Sequence, residues 1–327
     1  MQKNQPLVTV ITVCYNHARF VVECLESIRQ QTYHHTQLII IDDCSQDGSV
    51  EIIRDWIDRH QVECTFIAHE RNRGLCPTLN EALRLAKGKY ISLIATDDVW
   101  MFNKTELQVE LMEQLPQSVG VVYADALQID EQGNLLPKTF HEAHLNVFPY
   151  PEGDLLATLI RHNFIPAMAT LIRRSCYEKV GLYDERLCYE DWDMWFRISQ
   201  YFQFAFSPNI AAKYRIVSTS LTRTTHHKPT PRFHESNFWI YAKFLDSPRC
   251  SQEYEQYAKD RMLSEVESLY KLRAKTRHKY IGHMLRYQPR LYMLGMLAFS
   301  LLGKSYQSFV AFYENFERLR HRIEGRA

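Results

Sequence analysis

Leu38-Ile39-Ile40-Ile41-Asp42-Asp43 and Tyr90-Ile91-Ser92-Leu93-Ile94-Ala95-Thr96-Asp97-Asp98 decide how this chain is read. Each is a short apolar run that stops on two adjacent acids. A short apolar run without alternation reads as a strand covered on both faces. A third acidic pair, Glu190-Asp191, stands just ahead of Trp192. Carboxylates gathered where parallel strands end repel one another unless positive charge lies between them. A divalent cation, shared with the phosphates of a nucleotide, supplies that charge.

The segments around these runs alternate in type. Residues 7–13, Leu-Val-Thr-Val-Ile-Thr-Val, predict another buried strand. Phe20, Cys24, Leu25 and Ile28 recur at helical spacing, and Gly48 opens a helix striped by Val50, Ile53 and Ile57. Residues 62–68 read as a strand. Leu79, Ala82, Leu83 and Ala86 mark a helix that Lys87-Gly88 ends. A helix through Leu107 and Leu111 leads to a strand at 119–123. This alternation with short links predicts an α/β domain whose mostly parallel sheet is covered on both faces. Ligands in such sheets bind beyond the carboxyl ends of the strands, where the acidic pairs fall. The stretch from about 125 to 225 is less regular. There, 164–172 predicts an added strand, and Trp192, Trp195, Phe196 and Ile198 predict a helix starting near Glu190-Asp191. From about 233 onward the pattern is helical, with many aromatic and basic residues.

Composition bounds the class. The 327 residues suit one large domain with an appendage, or two domains. Hydrophobic content of 46% supports a sizeable core, and a formal net charge of +1 disfavours a dedicated nucleic-acid binder. Eight cysteines occur without a CxxC pair. Cys14, Cys24, Cys44 and Cys64 lie in elements that read as core, which predicts buried free thiols in a reducing compartment. Met1 leads almost directly into a strand with no signal peptide, so a cytoplasmic location is expected.

The acids admit specific chemistry, each beside a plainer role. Asp43 runs into an Asp/Ser/Gly turn; its carboxylate can accept the ring N–H of a pyrimidine, or serve as a turn or N-cap residue. Asp97 and Asp98 offer hard oxygen to Mg²⁺ or Mn²⁺ and to ribose hydroxyls, or cap the next helix. Glu190-Asp191 sits beside an indole, where desolvation raises a carboxylate toward a useful base. Its plainer reading is a pair of first-turn acids favoured by the helix dipole. Arg73, in Asn72-Arg73-Gly74, can steady phosphate or base, or belong to an ordinary basic loop.

Taken together, the ordered segments resemble the family 2 glycosyltransferases, inverting enzymes with the GT-A fold. The matching segments are Val8-Thr-Val-Ile-Thr-Val-Cys-Tyr-Asn16, Ile40-Ile-Asp-Asp-Cys-Ser-Gln-Asp-Gly-Ser49, Asn72-Arg-Gly74, Gly88-Lys-Tyr-Ile-Ser-Leu-Ile-Ala-Thr-Asp-Asp98, Gly181-Leu-Tyr-Asp-Glu185 and Glu190-Asp-Trp-Asp-Met-Trp-Phe-Arg197. The order and spacing match over roughly residues 6–222. The resemblance implies a Rossmann-like GT-A catalytic domain over 1–225, with a nucleotide-sugar half at about 1–125 and an acceptor half at about 126–225. Residues 226–327 form a mostly helical extension. Asp43 looks like the uracil-contacting acid, with Val13, Tyr15, Asn16 and Arg73 around the nucleotide. Asp97 looks like the ribose-side acid and Asp98 like the ligand of Mn²⁺ or Mg²⁺. Asp191 looks like the general base, with Glu190 beside it. The implied reaction moves one sugar from a nucleotide-sugar donor, expected to be UDP-linked, to a hydroxyl of a glycan or lipid-linked acceptor in surface-polysaccharide synthesis. A non-catalytic nucleotide-sugar-binding or scaffold protein of the same fold is the competing reading.

The chain departs from the family pattern in three places. Ala95-Thr96-Asp97-Asp98 lacks the first acid of the common D-x-D-D form. Val13 stands where a Pro or Thr is usual, which removes a hydroxyl from the nucleotide pocket. Val217 stands where many members carry a histidine; His226-His227 are candidates to replace it, although solvent-facing loop histidines are the plainer reading. The Q-x-x-R-W signature of processive synthases is missing, and the most apolar stretch, 291–302, falls short of the ~20 residues needed to span a bilayer. The basic, aromatic-rich tail has two readings. It docks peripherally on an anionic membrane face, or it packs its apolar stripe on the catalytic domain or on a second copy, the reading the sequence slightly favours.

Overall fold

The computed structural model describes residues 5–145, 148–217, 230–288 and 291–324. They fall into two compact units, Met1–Arg223 and Thr224–Ala327.

In the first unit, β1 (Val8–Cys14), α1 (Val21–Arg29), β2 (Thr36–Asp42), α2 (Ser49–His60), β3 (Cys64–Ala68), α3 (Leu75–Leu85) and β4 (Tyr90–Ala95) alternate as the periodicity predicts. Then come β5 (Val99–Trp100), α4 (Lys104–Gln114), β6 (Val119–Ile129), β7 (Leu135–Thr139), α5 (Phe140–His144) and α6 (Leu156–Leu159). A 3₁₀ turn at Ala167–Ala169 precedes β8 (Thr170–Arg173), α7 (Arg174–Val180), α8 (Asp191–Ser199) and β9 (Gln203–Arg215). The nine strands form one sheet in the order β3-β2-β1-β4-β8-β6-β9-β5, with β7 on β6.

β3, β2, β1 and β4 pair in parallel, whereas β8 runs antiparallel to both of its neighbours, β4 and β6. Strands buried on both faces need no alternation, and Ile39, Ile40 and Ile41 are all fully buried. The register aligns the carboxyl ends, placing Cys14 opposite Asp42, Asp42 opposite Ala68 and Val13 opposite Ala95. Four chain segments therefore leave the sheet along one edge. At the opposite, amino ends of β1 and β4, Gly88 permits a close approach, because a Cβ there would lie 2.5 Å from the Thr9 amide nitrogen.

Several local expectations shift. The strand expected over 164–172 begins only at Thr170, after Pro166 and the 3₁₀ turn. The buried face of α4 is carried by Lys104, Thr105, Gln108, Val109 and Met112, with Leu107 and Leu111 only half-buried. β9 escaped the sequence reading because its pairing with β6 slips between Ser207 and Ile210, around Pro208, which has no N–H for a ladder. Cys14 and Cys24 are buried free thiols as expected, but Cys44 and Cys64 are only half-buried. Cys44 sits in a loop at φ 71°, outside the sheet.

The second unit is helical among its described residues. It comprises α9 (Pro231–Leu245), α10 (Gln252–Lys271), α11 (Arg277–Tyr287), α12 (Leu291–Leu301) and α13 (Tyr306–Glu324). No described helix is long and apolar enough to cross a membrane. His226 and His227 lie outside the described residues.

Candidate functional site

The loop after β1 is folded by polar side chains from the loop after β2. Asp42 is fully buried and takes the Ser45 amide at 2.8 Å and the Ser45 hydroxyl at 2.5 Å. That hydroxyl oxygen accepts the Asn16 amide at 2.8 Å, while Asn16 Oδ1 accepts the Gln46 amide at 2.8 Å. Asn16 holds φ 59°, a conformation that asparagine tolerates better than most residues. The reciprocal bonds leave Tyr15 exposed at the rim and Val13 half-buried beneath it.

Asp43 faces the opposite way. Its Oδ1 accepts the Arg73 amide and lies 2.8 Å from His69 Nδ1, and its Oδ2 accepts the Gly74 amide at 2.8 Å. An ionised carboxylate offers about four acceptor directions, so three are filled and one remains. Asp43 thus holds the loop that starts α3. The Arg73 side chain turns instead to Glu81, at 2.8 Å.

Asp97 and Asp98 sit where β4 gives way to β5, and both are buried. Asp98 Oδ1 accepts the Arg215 amide at 2.8 Å. Burial and then the Asp97 carboxylate push the Asp98 pKa well above the ordinary aspartate value, against the pull of Arg215. Arg215 is itself buried. Its guanidinium donates to the Asp97 carbonyl at 2.8 Å, pairs with Glu23 at 2.5 Å and lies over the Phe20 ring. His17 bridges the β1 and β4 loops, with Nδ1 2.9 Å from the Thr96 hydroxyl and Nε2 3.7 Å from Asp97 Oδ2. Among the described residues no group of three or more acidic, His or Cys side chains could hold a metal by itself. Two adjacent hard carboxylates, one raised by burial and by its neighbour's charge, do fit a Mg²⁺ or Mn²⁺ that takes its remaining oxygens from water and phosphate.

Glu190 and Asp191 open α8 as its N-cap and first residue. Desolvation and the neighbouring Asp191 carboxylate raise Glu190 to about 8. Asp191 is also raised, chiefly by desolvation, while the Asn163 amide donating at 2.9 Å and the Trp192 N–H at 2.6 Å oppose the rise. Asn80 clamps the approach to this turn, since its Oδ1 accepts the Tyr183 amide at 2.8 Å and its Nδ2 donates to the Tyr183 carbonyl at 2.9 Å. Burial and then the nearby Glu190 carboxylate raise the Cys76 thiol.

Asp43, Arg73, Tyr15, Asn16, Asp97 and Asp98 are brought to the edge formed by the ends of β1, β2 and β4, and the segment that leads to Glu190-Asp191 is tied to α3 through Asn80. The sequence reading gave no role to Arg215, His17, His69 or Asn163. His17 was legible as part of the Tyr15-Asn16-His17 loop, but the partners of the other three are set by distant pairing.

Residues 9–181, more than half of the chain, match the profile of the family described as "Glycosyl transferase family 2". The chain is 31% identical over 137 residues to TuaG of Bacillus subtilis strain 168, provisionally named a teichuronic acid biosynthesis glycosyltransferase; the alignment covers 42% of this chain and 53% of TuaG. It therefore spans about half the length of that curated relative. Among solved structures, Staphylococcus aureus TarS residues 1–349 in complex with UDP-GlcNAc superposes with a TM-score of 0.65 at 16% identity, covering 95% of this chain and 91% of that one. The mannosyltransferase PcManGT of Pyrobaculum calidifontis, in complex with GDP-Man and Mn²⁺, gives a TM-score of 0.56 at 16% identity, over 95% and 84% of the two chains. At such identities the structural likeness shows a shared fold.

Proposed function

The chain belongs to glycosyl transferase family 2, and on that premise we propose that it moves one sugar from a UDP-sugar to an acceptor hydroxyl, with inversion, in the synthesis of a polysaccharide. The observation that carries this reading is the acidic pair at the start of α8, both members raised chiefly by burial and Glu190 also by the Asp191 carboxylate, on a segment that Asn80 of α3 ties at Tyr183.

In this reading the nucleotide lies along the carboxyl ends of β1, β2 and β4. Asp43 keeps one acceptor direction for a pyrimidine N–H, with Tyr15, Asn16 and Val13 around the base and the Arg73 side chain reaching it only by leaving Glu81. Asp97 faces the ribose. Asp98 would hold Mn²⁺ or Mg²⁺, which when bound supplies countercharge to the departing diphosphate. With Glu190 raised to about 8, the coupled pair retains one proton near neutrality. In this reading Glu190 carries that proton and Asp191 acts as the base, its carboxylate form favoured by the hydrogen bonds from Asn163 and the Trp192 amide. Asp191 takes the proton from the acceptor hydroxyl as its oxygen attacks the anomeric carbon, the bond to the diphosphate breaks, and the configuration inverts. The UDP-GlcNAc complex of TarS supports the donor class, and the name of TuaG supports a polysaccharide pathway.

The test is UDP release from a panel of UDP-sugars with Mn²⁺. Asp191→Asn is expected to lower turnover by about 10²–10⁴-fold while donor binding persists. Unchanged turnover would remove Asp191 as the base.

A further inference from the structure

The helical unit carries a surface that the transfer reading does not use. From Lys271 to Tyr313 the sequence contains no aspartate or glutamate, yet it holds Lys271, Arg273, Lys275, Arg277, Lys279, Arg286, Arg290 and Lys304. Within this acid-free segment lies α12. Its Met293, Met296 and Ser300 are buried, and Phe299 and Tyr292 pack on the α13 ring of Phe309. At about 100° per residue, the buried positions occupy one side of the helix. Leu291, Leu294, Ala298 and Leu301 fall on the opposite side and are exposed, as is the adjoining Leu302. Leu291, Leu301 and Leu302 are 66%, 68% and 71% exposed, too much for core positions.

Basic groups flank this face. Arg277 donates to the Ser300 carbonyl, and Tyr270 donates to the Lys304 carbonyl at 3.0 Å, so the segment from Lys271 to Arg277 meets the carboxyl end of α12. Lys271 lies over the Tyr306 ring at the start of α13. Lys271, Arg273, Lys275, Lys279, Arg286 and Lys304 are exposed. An exposed leucine face with cations at its carboxyl end, in a segment that has no acid of its own, combines the two attractions that hold a helix in an anionic bilayer interface.

We propose that the exposed leucine face of α12 docks on an anionic phospholipid surface, with the exposed lysines and arginines of this segment on the headgroups. A second copy of this chain is the other occupant such a face could take. Glu267 pairs with Lys271 and accepts the Tyr292 hydroxyl, but the remaining charge of the segment is positive, which argues against a second copy because a self-complementary interface would set these cations against one another.

The experiment is flotation of the full chain with phosphatidylcholine vesicles, with and without phosphatidylglycerol, alongside light scattering of the free protein. The expected result is retention on the anionic vesicles alone, weakened by salt. Leu294→Glu with Leu301→Glu should abolish retention while leaving the thermal melt unchanged, since both side chains already face water. Lys275→Glu with Lys279→Glu should weaken retention by roughly fivefold or more per site. Equal retention by the leucine double variant overturns the proposal. So does a dimer that the same variant dissociates, with no binding of the wild type to anionic vesicles. UDP release is read separately, so its loss or survival bears on the transfer reading alone.

Discussion

Glu190→Gln probes the electrostatics at the start of α8 through stability. Burial and the Asp191 carboxylate raise Glu190 to about 8 from an ordinary value of 4.5. Between those values the folded chain keeps a proton that the unfolded chain has released. Stability therefore falls as pH rises through this window, and the loss is complete above the folded value. At about 1.36 kcal/mol per pH unit, the ceiling is about 5 kcal/mol. Glu190 retains partial contact with water, and solvent screening reduces the expected loss to about 2 kcal/mol. Glutamine keeps the shape and is neutral throughout, so the variant escapes that loss. Paired thermal melts should show the two proteins alike near the acid end of the window. Above the folded value the variant should melt roughly 4–8 °C higher, at about 2–4 °C per kcal/mol for a unit of this size. Parallel pH profiles, or a variant less stable than wild type at the alkaline end, would refute the reasoning.

Other substitutions address separate contacts. Asp98→Asn should remove the Mn²⁺ dependence of UDP binding in calorimetry while metal-free binding through the Asp43 side persists. Arg215→Met strips the buried support from Asp97 and Asp98; a loss of about 3 kcal/mol in urea unfolding is expected, with Mn²⁺ affinity lower by about 10–100-fold. Gly88→Ala forces a methyl onto the Thr9 backbone and should cost about 3 kcal/mol of stability, whereas Gly153→Ala, where a Cβ meets nothing, should show only the smaller strain of its φ of 80°.

The parallel half of the sheet was legible because its strands are buried on both faces and say so in composition alone. Ile39, Ile40 and Ile41 leave no other reading, and the acids that follow mark where the chain meets water. β9 was opaque for the opposite reason. Its thirteen residues include Pro208 and a register slip, and they become a strand only because β6 and β5 offer edges to pair with. The buried face of α4 was missed because Lys104, Thr105 and Gln108 look solvent-facing in sequence. Lys104 Nζ is instead held by Ser92 and by the Thr170 carbonyl at 2.9 Å, beneath the Trp100 ring.

Sequence by itself determined where the acids stand, because the first two pairs terminate runs whose burial is dictated by their own side chains and the third precedes the aromatic stripe of a helix. Tertiary structure decided what those acids can do. Arg215 reaches Asp98 across 117 positions of chain, His69 meets Asp43 through the pairing of β3 with β2, and Asn163 steadies Asp191 from a different segment. Protonation and hydrogen-bonding capacity belong to the local field, and that field is assembled by residues that only the folded chain brings together.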